Sequence, residues 1–102
     1  MREISNRLKD ISRLILEGNT VDMAEVSLLI KSAVAEISGT SDEWKKIGIE
    51  FPMEYVVTAL NNLNEALKDN NMYYLSDNII YEWLEIFEVF METKETVAAY
   101  GK

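Results

Sequence analysis

Asp77, Glu82, Glu85, Glu88 and Glu92, with Tyr81 among them, are the residues of this chain best spaced to do chemistry together. On a helix, side chains three or four apart share a face. The four glutamates therefore form one acidic line of the kind that hard cations prefer. A cation site needs carboxylates converging from two or more elements, and the second and third helical stretches offer no matching inward-facing acids. A solvated acidic face opposite a core is the reading this spacing supports. Asp77 and Tyr81 lie four apart, with Asn78 and Glu82 beside them. Asp77, Tyr81 and Glu82 are expected to form a polar clasp that fixes helix register. The alternative is a small-ligand or metal-binding bundle that uses the same three residues, with Trp44 as a further contact.

The chain contains no histidine and no cysteine. That removes Ser-His-Asp and Cys-His catalysis, imidazole acid–base work, and nearly all zinc sites. It also removes the Glu-x-x-His elements of di-iron bundles. No Gly-rich phosphate loop or dinucleotide fingerprint is present. A non-enzymatic protein without catalytic residues, metal or cofactor is the expectation.

A formal net charge of −8 argues against nucleic acid and anionic membranes, both of which need clustered Lys and Arg. The N-terminal stretch alternates charged with apolar residues and lacks the apolar run of a signal peptide. No segment approaches the roughly 18 apolar residues of a membrane span. The absence of thiols fits a bacterial cytosol, so a cytoplasmic protein is expected.

Composition also points to the fold. At 102 residues, 48% of them apolar, with 4 glycines and 1 proline, the chain reads as a single all-α domain. Residues 3–17 carry Ile4, Leu8, Ile11 and Ile15 at alternating spacings of four and three, and Gly18-Asn19 supplies the stop. The second helix is expected to start near Thr20 or Asp22, with Asp22 and Glu25 resembling a capping box, and to end at Gly39. Its seam runs Met23, Val26, Ile30, Ala33 and Ile37. Residues 39–52 then read as a long connection that covers the core, with Trp44 as a lid. Pro52 opens the third helix, whose seam is Met53, Val56, Leu60, Leu63 and Leu67. Asp69-Asn70-Asn71 is the turn into the fourth.

Residues 72–93 read as one helix of about 33 Å at 1.5 Å per residue. Its inward seam is Leu75, Ile79, Trp83, Ile86 and Phe90. A second apolar line follows Tyr73, Ile80, Leu84, Phe87 and Met91. The tail to residue 102 either extends this helix or frays. The expected architecture is an antiparallel four-helix bundle with a longer connection between helices 2 and 3. The first helix holds Arg2, Arg7, Lys9 and Arg13, which favours a place beside the acidic fourth.

Residues 48–87 resemble a family of small helical proteins from Gram-positive bacteria. The shared pattern is a proline-started helix (Pro52), an Ala-Leu-Lys-Asp turn (residues 66–69) and an Asp-x-x-x-Tyr-Glu helix (Asp77, Tyr81, Glu82). Trp83 and Ile86 stand where the family tends to place Leu or Pro. The resemblance implies no activity, cofactor or catalytic residue; it implies company with flagellar or surface-export genes.

Two apolar lines exceed what one helix needs in a small bundle, and a surplus suggests a partner. The expected contacts are Tyr73, Tyr74, Ile80, Tyr81, Leu84, Phe87 and Met91. They would meet a protein partner or a second copy of the chain, as in a chaperone or adaptor that shields a client helix.

Overall fold

Local chemistry sets where the helices start and stop. The computed structural model describes residues 1–100, which form helices and turns with no strand among them. Helix α1 (Arg2–Leu16) ends as expected. Gly18 is left-handed (φ +84°), its N–H donates to the Ile15 carbonyl, and the Asn19 N–H donates to Leu14. These bonds satisfy carbonyls that a helix end otherwise leaves orphaned.

Helix α2 (Met23–Lys46) starts where Asp22 accepts a hydrogen bond from the Ala24 N–H at 2.9 Å. The capping box is not completed. Glu25 instead takes both guanidinium contacts of Arg7, at 2.6 and 2.8 Å. Gly39 does not end this helix, because the seam continues through Ile37, Ser41 and Trp44, all buried. Glycine inside a helix costs about 1 kcal/mol, less than the roughly 1.5–3 kcal/mol returned by burying a large apolar side chain. The true stop is Gly48 (φ +82°), whose N–H donates to Lys45 while Ile49 donates to Trp44. The connection between the second and third helices is therefore residues 47–52, and the longer one expected from the sequence is corrected.

Helix α3 (Met53–Lys68) follows Pro52, which occupies the cap rather than the first helical position. Its buried face is Val56, Ala59, Leu63 and Ala66. Met53, Leu60 and Leu67 are only half-buried flanks. The alanines, with no exposed surface at Ala59 or Ala66, mark where a neighbouring rod approaches closely. In the following turn Asn70 is left-handed (φ 52°), and Asn71 caps the next helix through the Tyr74 N–H at 3.0 Å.

The fourth rod differs from the expected continuous α-helix. It runs as α4 (Met72–Asn78), a π-helical segment (Ile79–Trp83) and α5 (Leu84–Tyr100). The Leu84 N–H reaches back five residues to the Ile79 carbonyl, the wide-turn hydrogen bond of a π-helix. The apolar row explains the need for it. Leu75, Ile79, Trp83 and Phe87 recur every four residues, and all are fully buried. At 3.6 residues per turn such a row would wind about 120° around the axis. A wider turn slows that winding and keeps all four side chains inward.

The fourth rod lies against both α1 and α3, while α2 packs on those same two helices. Buried side chains from all four rods form one core cluster, and the molecule measures 47 × 22 × 19 Å. The expected neighbourhood of first and fourth helices holds, but not through charge. Arg7 pairs with α2, and Arg13 pairs with Asp10 of its own helix and with Glu17 at that helix's end. Leu8, Ile11 and Ile15, all buried, supply α1's part of the core. Trp44 closes one region of that core, 5.3 Å from Phe90 and 6.1 Å from Phe51 between ring centres. Gly101 and Lys102, the last residues of the expected tail, lie outside the described residues.

Candidate functional site

The wide turn carries a polar network that faces α3. Asn78 is 1% exposed, and its side-chain amide makes three hydrogen bonds. The NH2 group donates to the Ala59 carbonyl at 3.1 Å and to Glu82 Oε1 at 2.9 Å. Its carbonyl oxygen accepts from the Trp83 indole N–H at 2.8 Å. In an α-helix, residues five apart sit about 140° apart around the axis. The π turn brings Asn78 and Trp83 within reach. From α3, the Asn62 amide donates to Glu82 Oε2 at 2.7 Å. Each oxygen of the half-buried Glu82 is thus held by a neutral amide. No Lys or Arg among the described residues forms an ion pair with it.

This network replaces the expected polar clasp. Of Asp77, Tyr81 and Glu82, only Glu82 takes part. Asp77 and Tyr81 are exposed, and among the described residues neither side chain makes a hydrogen bond. Asn78, one position along, is the residue that points at α3. One signal in the sequence could have pointed to the partner. Asn62 sits in a helix interior, where asparagine is a weak helix former and usually has a local or tertiary bond to make.

Beside the network runs a groove of about 340 Å³ between the start of α3 and the π–α5 stretch. Phe51 and Ile86, both buried, form its floor, and the exposed Tyr55 and Tyr81 stand at its rim. Pro52 and Val89 complete the apolar wall, with Thr58 beside them. Glu82 and Glu85 are the charged side chains on it, and no Lys or Arg contributes. The sequence reading missed Phe51, Tyr55 and Val89 as site residues, and placed Glu85 only on the acidic line, because they belong to one surface only once α3 and α5 are side by side.

The expected surplus apolar line does not survive as a unit. Phe87 is fully buried and packs 5.9 Å from Trp83, so it belongs to the core. Leu84 and Met91 are half-buried and packed against that core. Ile80 is half-buried as well. Tyr73, Tyr74 and Tyr81 are exposed at 74%, 39% and 71%. The wide turn draws most of the line inward and leaves the tyrosines outside. The acidic face stands as read for Glu85, Glu88 and Glu92, which are exposed.

The chain matches no family model, no curated protein and no solved structure. Among the described residues, no three His, Cys, Asp or Glu side chains are placed to hold a metal ion. No helix among them is long and apolar enough to cross a membrane.

Elsewhere, the Arg7–Glu25 pair is the one with clear electrostatic consequences. The hydrogen-bonded guanidinium holds the Glu25 carboxyl below its ordinary range, and Glu25 raises Arg7 in return. Glu36 of α2 lies 3.9 Å from Lys94 and 4.0 Å from the Met1 amine. These contacts tie helices together at the surface. The groove, by contrast, offers an apolar bed with a fixed carboxylate at its side.

Proposed function

We propose that the protein is a non-enzymatic protein-binding module, a small acidic bacterial adaptor or chaperone that works in the cytoplasm. Its four helices would run as an antiparallel bundle, with the groove face of the fourth rod as the contact surface. The carrying observation is the groove itself, an apolar floor flanked by two exposed tyrosines and a carboxylate fixed by two amides. Exposed aromatic side chains beside a concave apolar patch are typical anchors of protein recognition. Membership of the Gram-positive family with the Asp-x-x-x-Tyr-Glu helix belongs to the same proposal.

Site-specific photo-crosslinking in cells tests it. A photoreactive phenylalanine at Tyr81 or Tyr55 should trap a discrete partner, while the same group at Leu28, exposed on α2, should not. Equal trapping at all three positions would refute the contact surface.

A second reading has one observation in its favour. A groove of about 340 Å³ falls at the lower end of the sizes typical of small-molecule sites, roughly 300–1,000 Å³. With Tyr81 and Glu82 on its wall, it suits a small ligand with an apolar body and a cationic or hydrogen-donating end. Thermal shifts across a panel of organic amines and divalent cations test this, and a flat response would count against it.

A further inference from the structure

We infer that the groove receives a basic amphipathic segment of another protein, with an apolar side chain over Phe51 and Ile86 and a Lys or Arg against Glu82 and Glu85. This rests on the protein-binding reading above and specifies the partner's chemistry.

Charge complementarity carries it. Glu82 is held by the Asn62 and Asn78 amides at 2.7 and 2.9 Å, so its position is set before anything binds. A carboxylate has about four acceptor sites; two are occupied here, and no cation among the described residues pairs with it. Glu85 adds a second carboxylate on the same wall, again without a basic neighbour in the lining. The exposed Tyr55 and Tyr81 line the same groove, and aromatic rings attract cations through the ring quadrupole. The groove volume suits one or two anchoring side chains rather than a buried helix. That matches a helix laid across it, inserting residues three or four apart.

A second copy of this chain is the weaker occupant. Each copy carries a net charge of −8, so self-docking brings like charge onto an already acidic wall.

The probe is a fluorescein-labelled helical peptide of Leu and Lys with one apolar and one basic face, compared with its Leu/Glu counterpart. Binding is read by anisotropy, alongside the solution mass of the protein alone. The Leu/Lys peptide should bind and the Leu/Glu peptide should not. Glu85→Lys should weaken binding about tenfold, the scale of one charge pair turned repulsive. Glu3→Lys, on exposed α1 surface with the same change in net charge, should leave it within about twofold. Val89→Asn should weaken it by removing apolar wall. Far-UV circular dichroism confirms that each variant is folded.

Equal losses for Glu85→Lys and Glu3→Lys would mean diffuse attraction and would overturn the inference. Equal binding of both peptides, weakened alike by Val89→Asn, would overturn the basic occupant and leave protein docking standing. A doubled solution mass abolished by Val89→Asn, without peptide binding, would make the occupant a second copy. No peptide binding while Tyr81 still crosslinks a partner in cells would sink only the basic occupant; no crosslink either would sink both readings.

Discussion

Asn78→Ala tests the network that joins the wide turn to α3 beside the groove. The change removes three hydrogen bonds at once, to Ala59, to Glu82 and from Trp83. The Trp83 side chain has no exposed surface, so its indole N–H would be left without an acceptor or water. An unsatisfied buried donor costs about 1–3 kcal/mol, and a lost hydrogen bond about 0.5–1.5 kcal/mol, so a total near 2–4 kcal/mol is expected. For a small domain, that shifts the urea midpoint down by roughly 1–2 M. Equilibrium urea unfolding followed by far-UV circular dichroism measures it. A double-mutant cycle isolates the orphaned donor. In a Trp83→Phe background no indole N–H remains to be stranded, so Asn78→Ala should cost about 1 kcal/mol less. A cost below about 0.5 kcal/mol would refute the idea that this network fastens the rod to α3, and the same cost in both backgrounds would refute the stranded indole donor.

Gly39→Ala tests whether α2 runs through the glycine. Apart from the helix's own backbone, nothing lies within 4 Å of the added methyl, so the change should stabilise by about 0.5–1 kcal/mol in thermal melts; destabilisation would contradict the long helix. Phe87→Ala should cost about 3–5 kcal/mol in urea unfolding, as a core cavity does, and not act as a surface contact. Ala59→Leu should destabilise by about 1–3 kcal/mol through overpacking against the fourth rod. The Arg7–Glu25 pair predicts a pH effect with a definite sign. Glu25 is depressed in the folded state, so its contribution is present above its unfolded pKa and lost as pH falls through the folded one. The melting-temperature gap between wild type and Arg7→Gln should therefore be larger at neutral pH than in acid, and a gap that does not change would count against the pair.

Helix existence, order and most caps are legible in the sequence because they are local. Gly18, Asp22, Pro52 and Asn71 act within a turn of where they stand. The end of α2 is not legible in the same way, because Gly39 is a local signal outweighed by a tertiary one. Trp44 finds Phe51 and Phe90 only after the chain has turned back. The inward seam of the fourth helix is read correctly at Leu75, Ile79, Trp83, Ile86 and Phe90, all buried. Phe87 is misplaced because the reading assumes a constant 3.6-residue turn. The four-residue row from Leu75 to Phe87 is the available sign that the turn widens. The polar site is half legible. Glu82 stands out by spacing, whereas Asn62 and Asn78 are neutral amides whose value depends on a partner helix.

The two tryptophans have different neighbours. Trp44 touches Phe51, which floors the groove, and Trp83 is bonded to Asn78 in the network. The unlabelled molecule therefore contains two indole emitters with separate duties. With Trp83→Phe, the remaining emission reports on the groove floor; with Trp44→Phe, it reports on the wide turn. Filling of the groove and loosening of the rod can thus be followed as two optical signals, and their order in time can be resolved by stopped flow.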